Sequence, residues 1–102
     1  MKTANVFVND IKAGQLIEHD RSRYEFNYDE PYNGSPVSLT LPLSRRNYQF
    51  NSFPAFFEGL LPEGLQLEAL LKDHKINRQD YFKQLMICGA DCVGAVTVKE
   101  VL

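Results

Sequence analysis

At 102 residues, with 44% apolar and 24% charged side chains, the chain has room for one domain with one core, and the balance excludes a disordered chain. A net charge of −2 and a pI near 5.6, with Arg45-Arg46 the longest basic run, argue against direct duplex binding. Cys88 and Cys92 are too few for a disulfide framework, and His19 and His74 lie far from both in sequence, so two thiols in a reducing compartment are expected and no metal or other cofactor is implied.

The N-terminus has no apolar stretch of the kind a signal peptide needs, and no run reaches the roughly 18 apolar residues of a membrane span. The expectation is a cytoplasmic protein with no membrane contact. Val6-Phe7-Val8 reads as a short strand, Asn9-Asp10 as a turn, and residues 12–19 as the strand that completes a hairpin. In Arg23–Tyr28, Tyr24, Phe26 and Tyr28 share one face while Arg23, Glu25 and Asn27 share the other. That is the pattern of a half-buried antiparallel strand. Residues 29–36, with two prolines, read as a loop. Val37, Leu39, Leu41 and Leu43 alternate with Ser38, Thr40 and Pro42, which predicts a fourth strand with an edge-like end. Residues 44–52 are polar with Tyr48 and Phe50 interspersed, and read as a loop.

The period then changes. Pro54 suits the first turn of a helix, with Ser52 as its cap, and Phe53, Phe56, Phe57, Leu60 and Leu61 fall at helical spacing. Pro62 stops or restarts that helix. Leu67, Leu70, Leu71 and His74 mark an amphipathic helix. Asn77, with Asp80 three residues on, predicts the cap of another, whose buried face carries Tyr81, Phe82, Leu85 and Met86 and which Gly89 ends. Val96 and Val98 form a last strand. Segregated strands and helices predict an α+β fold: an antiparallel sheet of about five strands, covered on one face by two to three helices, as a single domain over residues 1–102.

Enzyme signatures are missing. The chain has no glycine-rich nucleotide motif, no Walker-type Gly-Lys-Ser/Thr, no His-Glu-x-x-His, no Gly-x-Ser-x-Gly, and no His-Arg-Asp or Asp-Phe-Gly triplet of a kinase. Glu58 and Glu63 flank Pro62 and could pair as acid and base, but solvated helix ends account for them as well. His19, His74 and Cys92 have no partner in sequence that would make a catalytic set. No catalytic residue is assigned.

The distinctive stretch is Phe53-Pro54-Ala55-Phe56-Phe57-Glu58-Gly59-Leu60-Leu61-Pro62-Glu63-Gly64. It resembles the hallmark of the N-terminal subdomain of HipA-type toxin kinases, Phe-Phe-[Glu/Asp]-x-Leu-Leu-Pro-[Glu/Asp]. Val6-Phe7-Val8-Asn9 with Gly14-Gln15-Leu16 looks like that family's opening hairpin, with Asp10 in place of the usual turn glycine. Phe26-Asn27-Tyr28, the run from Pro36 to Leu43, and the run from Gly89 to Val96 are similar to three further family segments, in the same order. The resemblance covers nearly the whole chain. It implies the fold just described. With no kinase core after Leu102, it also implies the role of the HipS-type small subunits of three-gene HipBST systems.

On that resemblance, the expected partner is a HipA- or HipT-like Ser/Thr kinase, which the chain binds and restrains. A HipB-like helix-turn-helix protein would join through the complex, and the chain itself would touch no nucleic acid. The candidate partner-binding residues are Phe56, Phe57, Glu58, Leu61, Pro62, Glu63, Gly64 and Leu65. The Pro62-Glu63-Gly64 break would project Leu65 toward the kinase, where related small subunits can carry a bulkier aromatic. Residues such as Phe53, Phe56, Phe57, Leu60 and Leu61 are more often core than interface, and Gly59 fits a close helix–sheet approach. Two other readings stand beside this one. The chain could scaffold a HipB–HipT complex without neutralising it. Or it could be a small enzyme or nucleic-acid binder, for which a basic stripe of Arg21, Arg23, Arg45 and Arg46 would be the best support.

Overall fold

The computed structural model describes residues 1–91 and 94–101. Three strands open the chain: β1 (Lys2–Val8), β2 (Ile11–Asp20) and β3 (Arg23–Tyr28). β4 (Asn47–Phe50) follows after a long connection. Three helices come next: α1 (Ala55–Glu58), α2 (Gly64–His74) and α3 (Tyr81–Cys88). A 3-10 turn (Gly89–Asp91) then leads to β5 (Val96–Glu100). The strands form one antiparallel sheet in the order β4-β3-β2-β1-β5. The predicted α+β class and layer order hold.

The β1–β2 turn places Asn9 and Asp10 at φ of 50° and 68°. A two-residue hairpin loop matches the twist of its strands when both central residues are left-handed, and Asn and Asp tolerate this better than most side chains. Alternation then sorts the sheet into two faces. Ala4, Val6, Val8, Leu16, Tyr24, Phe26, Tyr28, Val96 and Val98 are buried on one of them, beneath Phe57 of α1 and Phe82 and Leu85 of α3. Gly89 lies so close to β5 that a Cβ there would sit 2.7 Å from the Val98 carbonyl oxygen. It ends α3 in right-handed geometry (φ −64°), so close approach explains it better than a left-handed cap.

The opposite face is polar. Lys99, Asn5, Gln15, Asn27 and Asn47 are paired in sequence across the five strands and form one row. In the next row the Glu25 carboxylate lies 2.8 Å from His19 Nε2 and accepts from Asn27 Nδ2 at 3.1 Å and Asn47 Nδ2 at 2.5 Å. The His19 bond, then the two amides, hold the Glu25 carboxyl below its ordinary 4.5. A depressed native pKa means the folded state binds the proton less well than the unfolded chain. The resulting stability is complete above the unfolded value and is lost as pH falls through the native one. Thermal melts on an acid series should therefore show a descending limb that begins near pH 4.5. A Glu25→Gln variant should flatten that limb.

Two strand assignments need correction. Residues 37–43 alternate like a strand but fold as turns. Pro36 and Pro42 bring no N–H to a ladder. Leu41 N donates to the Ser38 carbonyl at 3.0 Å, and Thr40 N donates to Ser38 Oγ at 3.2 Å. The buried Tyr28 hydroxyl accepts from Val37 N at 2.8 Å and donates to the Leu41 carbonyl. Val37 and Leu41 therefore point inward, while Leu39 is 95% exposed. The fourth strand lies instead inside the stretch read as a loop. Asn47–Phe50 pairs with β3, placing Tyr48 opposite Phe26 and Phe50 opposite Tyr24. Removing the bridging hydroxyl with Tyr28→Phe leaves a buried N–H and a buried C=O short of a partner. The expected cost is about 1–3 kcal/mol in urea denaturation, with faster hydrogen exchange at the Val37 amide.

The helix caps also differ from expectation. Pro54, not Ser52, occupies the N-cap of α1, and no side chain caps that helix. Asp80, not Asn77, caps α3, accepting from Lys83 N at 3.2 Å. Asn77 Oδ1 instead accepts from Gln79 N at 2.8 Å, in a turn that feeds the helix. α2 has Leu67, Leu70 and Leu71 half-buried and His74 exposed, and none of its residues is buried. The predicted amphipathic helix exists, but it rests only lightly on the domain.

Candidate partner-binding face at the helix junction

The hallmark stretch builds the junction between α1 and α2. α1 is a single turn with no side-chain cap, so propensity alone cannot hold it. Ring contacts do. Phe53 meets Tyr24 edge-on at 5.4 Å and Tyr81 at 5.6 Å, while Phe57, fully buried, packs 5.7 Å from Phe26. Backbone bonds from Gly59, Leu60 and Leu61 to Ala55, Phe57 and Glu58 carry the helix into tighter turns. Pro62 and Glu63 then extend the chain, and Gly64 opens α2 at φ +60°, a conformation that disfavours any other side chain.

Of the eight predicted contact residues, Phe57 belongs to the core, which removes it from direct contact with anything docking on the folded surface. Phe56, Leu61 and Pro62 are half-buried; Glu58, Glu63 and Gly64 are exposed; Leu65 is 88% exposed on the first turn of α2. Gly59 is exposed as well, and a Cβ there would meet only the Phe56 and Ala55 carbonyl oxygens, so close helix–sheet packing is not its reason. Two grooves flank α1. One, of about 420 Å³, is apolar and lined by Leu41, Tyr48, Phe50, Phe53, Pro54 and Phe56. The other, of about 320 Å³, lies between the helices against Glu58, Leu61, Pro62, Glu63, Leu67 and Tyr81. The first groove was invisible in the sequence, because its wall includes the unrecognised strand β4.

The arginines do not form a stripe. Arg45 donates to the Asn47 carbonyl and sits over the Tyr48 ring. Arg46 donates to the Asp29 and Tyr32 carbonyls, and Arg21 lies against Gln79 and Asp80. Among the described residues, no group of three or more His, Cys, Asp or Glu gathers in a way that could hold a metal ion. Cys88 is half-buried on α3, and Cys92 lies outside the described residues. No described helix is long and apolar enough to cross a membrane.

The model of the HipA N-terminal domain matches residues 4–99. The chain belongs to the HipA N-terminal domain family. Members fold as this chain does: a solved N-terminal domain of the HipA toxin superposes with a TM-score of 0.81 at 24% identity, covering 100% of this chain and 94% of that one. A protein of Haemophilus influenzae described as uncharacterised is 28% identical over 100 residues, which are 98% of this chain and 93% of that protein. The matched residues include the stretch that shapes the α1–α2 junction, with Phe53 and Phe57 buried and the Glu63-Gly64 step exposed.

Proposed function

We propose that this HipA-family domain is a regulatory component of a toxin–antitoxin system, and that it works by docking its helix junction on a HipA- or HipT-like Ser/Thr kinase core and restraining it. The observation that carries this reading is Leu65. A large apolar side chain that is 88% exposed, on a helix with no buried residue, has little to do for its own domain. It stands three residues after a proline and one after a left-handed glycine, in the first turn of α2, so the helix sets its position. A rigid, exposed apolar anchor beside a groove is what a specific interface places at its centre. The length of the Haemophilus influenzae relative, little more than the aligned residues, supports the idea that such domains act without a kinase core in the same chain. A HipB-like helix-turn-helix protein would join through the kinase. Arg21, Arg45 and Arg46, engaged within the domain, favour this over direct nucleic-acid binding.

The test is to mix the purified chain with the HipA-type kinase core of the same organism, produced without an N-terminal subdomain, on a sizing column. A shared peak, together with suppressed kinase autophosphorylation, is the expected result. A shared peak with undiminished kinase activity would make the chain a scaffold, as HipS-type subunits would be if neutralisation came from HipB. Separate peaks at micromolar concentration would remove the proposal.

A further inference from the structure

The groove between α1, α2 and α3 has two kinds of wall. Leu61, Pro62, Leu67 and the Tyr81 ring make it apolar inside, while Glu58 and Glu63 stand exposed at its rim. No Lys or Arg lines it. Most of the domain's better-placed carboxylates are already engaged: Glu18 with Tyr24, Asp20 with Ser22, Glu25 with His19, Asp29 with Lys12, Glu68 with Arg78, and Asp80 with Arg21. The carboxylates of Glu58 and Glu63 make no hydrogen bond or ion pair with any described residue, although the Glu58 backbone is bonded within its helix. Glu63 occupies the N-cap of α2, yet its side chain does not cap that helix.

We infer that this groove receives a basic side chain, an arginine, from the docked kinase, and the inference rests on the reading that the junction is the kinase-binding face. An apolar trough ending at two carboxylates matches a side chain with an aliphatic stem and a cationic head. The stem lies along Leu61, Pro62 and Leu67, and the head reaches the rim between Glu58 and Glu63. Arginine fits better than lysine. Its planar fork can donate to two carboxylates at once, and its face can stack on the Tyr81 ring. The groove and Leu65 then divide the work: the leucine contributes apolar contact, and the carboxylates select the register by charge.

Calorimetric titration of the kinase core with the full chain tests this. The Glu58→Gln/Glu63→Gln double variant keeps shape and removes both charges, so its melting temperature should equal that of the wild type. Its Kd should rise about tenfold or more, and the weakening of binding between about 0.1 and about 0.5 M salt should shrink relative to wild type. An unchanged Kd with an unchanged salt slope overturns the inference while leaving the kinase-binding reading intact, provided Leu65→Asp still weakens the complex. A wild-type chain that does not bind the core overturns both. If the double variant proves unstable, the wild-type salt series decides: binding indifferent to salt overturns the arginine.

Discussion

Replacing Phe57 with alanine should destabilise the domain by about 3–5 kcal/mol, measured as a shift of the urea midpoint at constant slope. The ring is fully buried and touches two others, Phe26 on the sheet at 5.7 Å and Phe56 at 5.2 Å. Truncation loses the burial of the ring and leaves a cavity that the sheet cannot close, because Phe26 is itself fully buried and held by its strand. The loss would be a large part of the total, since a domain of this size has about 5–15 kcal/mol to lose. It would also undock the junction, because α1 is one turn long and has no side-chain cap. Phe56→Ala is the comparison: the ring is half-buried and lines the apolar groove, so the expected cost is less than half as large. Equal costs would mean that α1 is not oriented as described.

That contrast also shows where sequence reasoning reaches its limit. Phe56 and Phe57 are the same residue type at adjacent positions, and helical spacing allows either to face the core. What decides is the angle at which a four-residue helix meets the sheet, and Phe53, wedged between Tyr24 and Tyr81, sets that angle from outside the helix. The first three strands were legible because alternation along Arg23–Tyr28 records a one-sided burial that the chain itself produces. The same alternation in residues 37–43 misled. Its outcome depends on one hydroxyl, that of Tyr28, nine residues from Val37 in sequence, which takes the N–H and the carbonyl that a ladder would need. β4 was hidden for the converse reason: Asn47 and Gln49 look like loop residues, but they belong to the polar open face, where Asn47 donates to Glu25. The apolar stripe of α2 was visible, yet its shallow docking was not, since Phe57 of α1 and Phe82 and Leu85 of α3 already cover the sheet. At the junction, the Pro62-Glu63-Gly64 run marked a helix break in the sequence, and Leu65 stands exposed just after it; that Phe57 would be lost to the core depends on the angle of α1 and was not legible.

Leu65→Asp should leave the fold untouched and remove most of the affinity for the kinase core. With 88% of its surface in solvent, the leucine contributes little to native packing, and a substitution at so exposed a site shifts stability by no more than about 0.5 kcal/mol. An aspartate in the first turn of α2 also sits at the positive end of the helix dipole, which offsets part of its lower helix propensity. In the complex the balance reverses. A carboxylate forced into a dry apolar contact must shed its water without gaining a partner, and it stands beside Glu63, whose charge it repels. Central anchors cost about 2–4 kcal/mol on truncation, so a charged replacement should raise Kd by at least about thirtyfold. The measurement pairs a thermal melt with calorimetric titration of the kinase core. Leu65→Phe supplies the opposite arm: a larger apolar ring at the same rigid position should bind at least as well as the leucine. If the aspartate variant melts like the wild type and still binds and restrains the kinase equally well, Leu65 is not the anchor. The contact must then be sought on the 420 Å³ apolar groove across α1, where Phe56 rather than Leu65 would carry it.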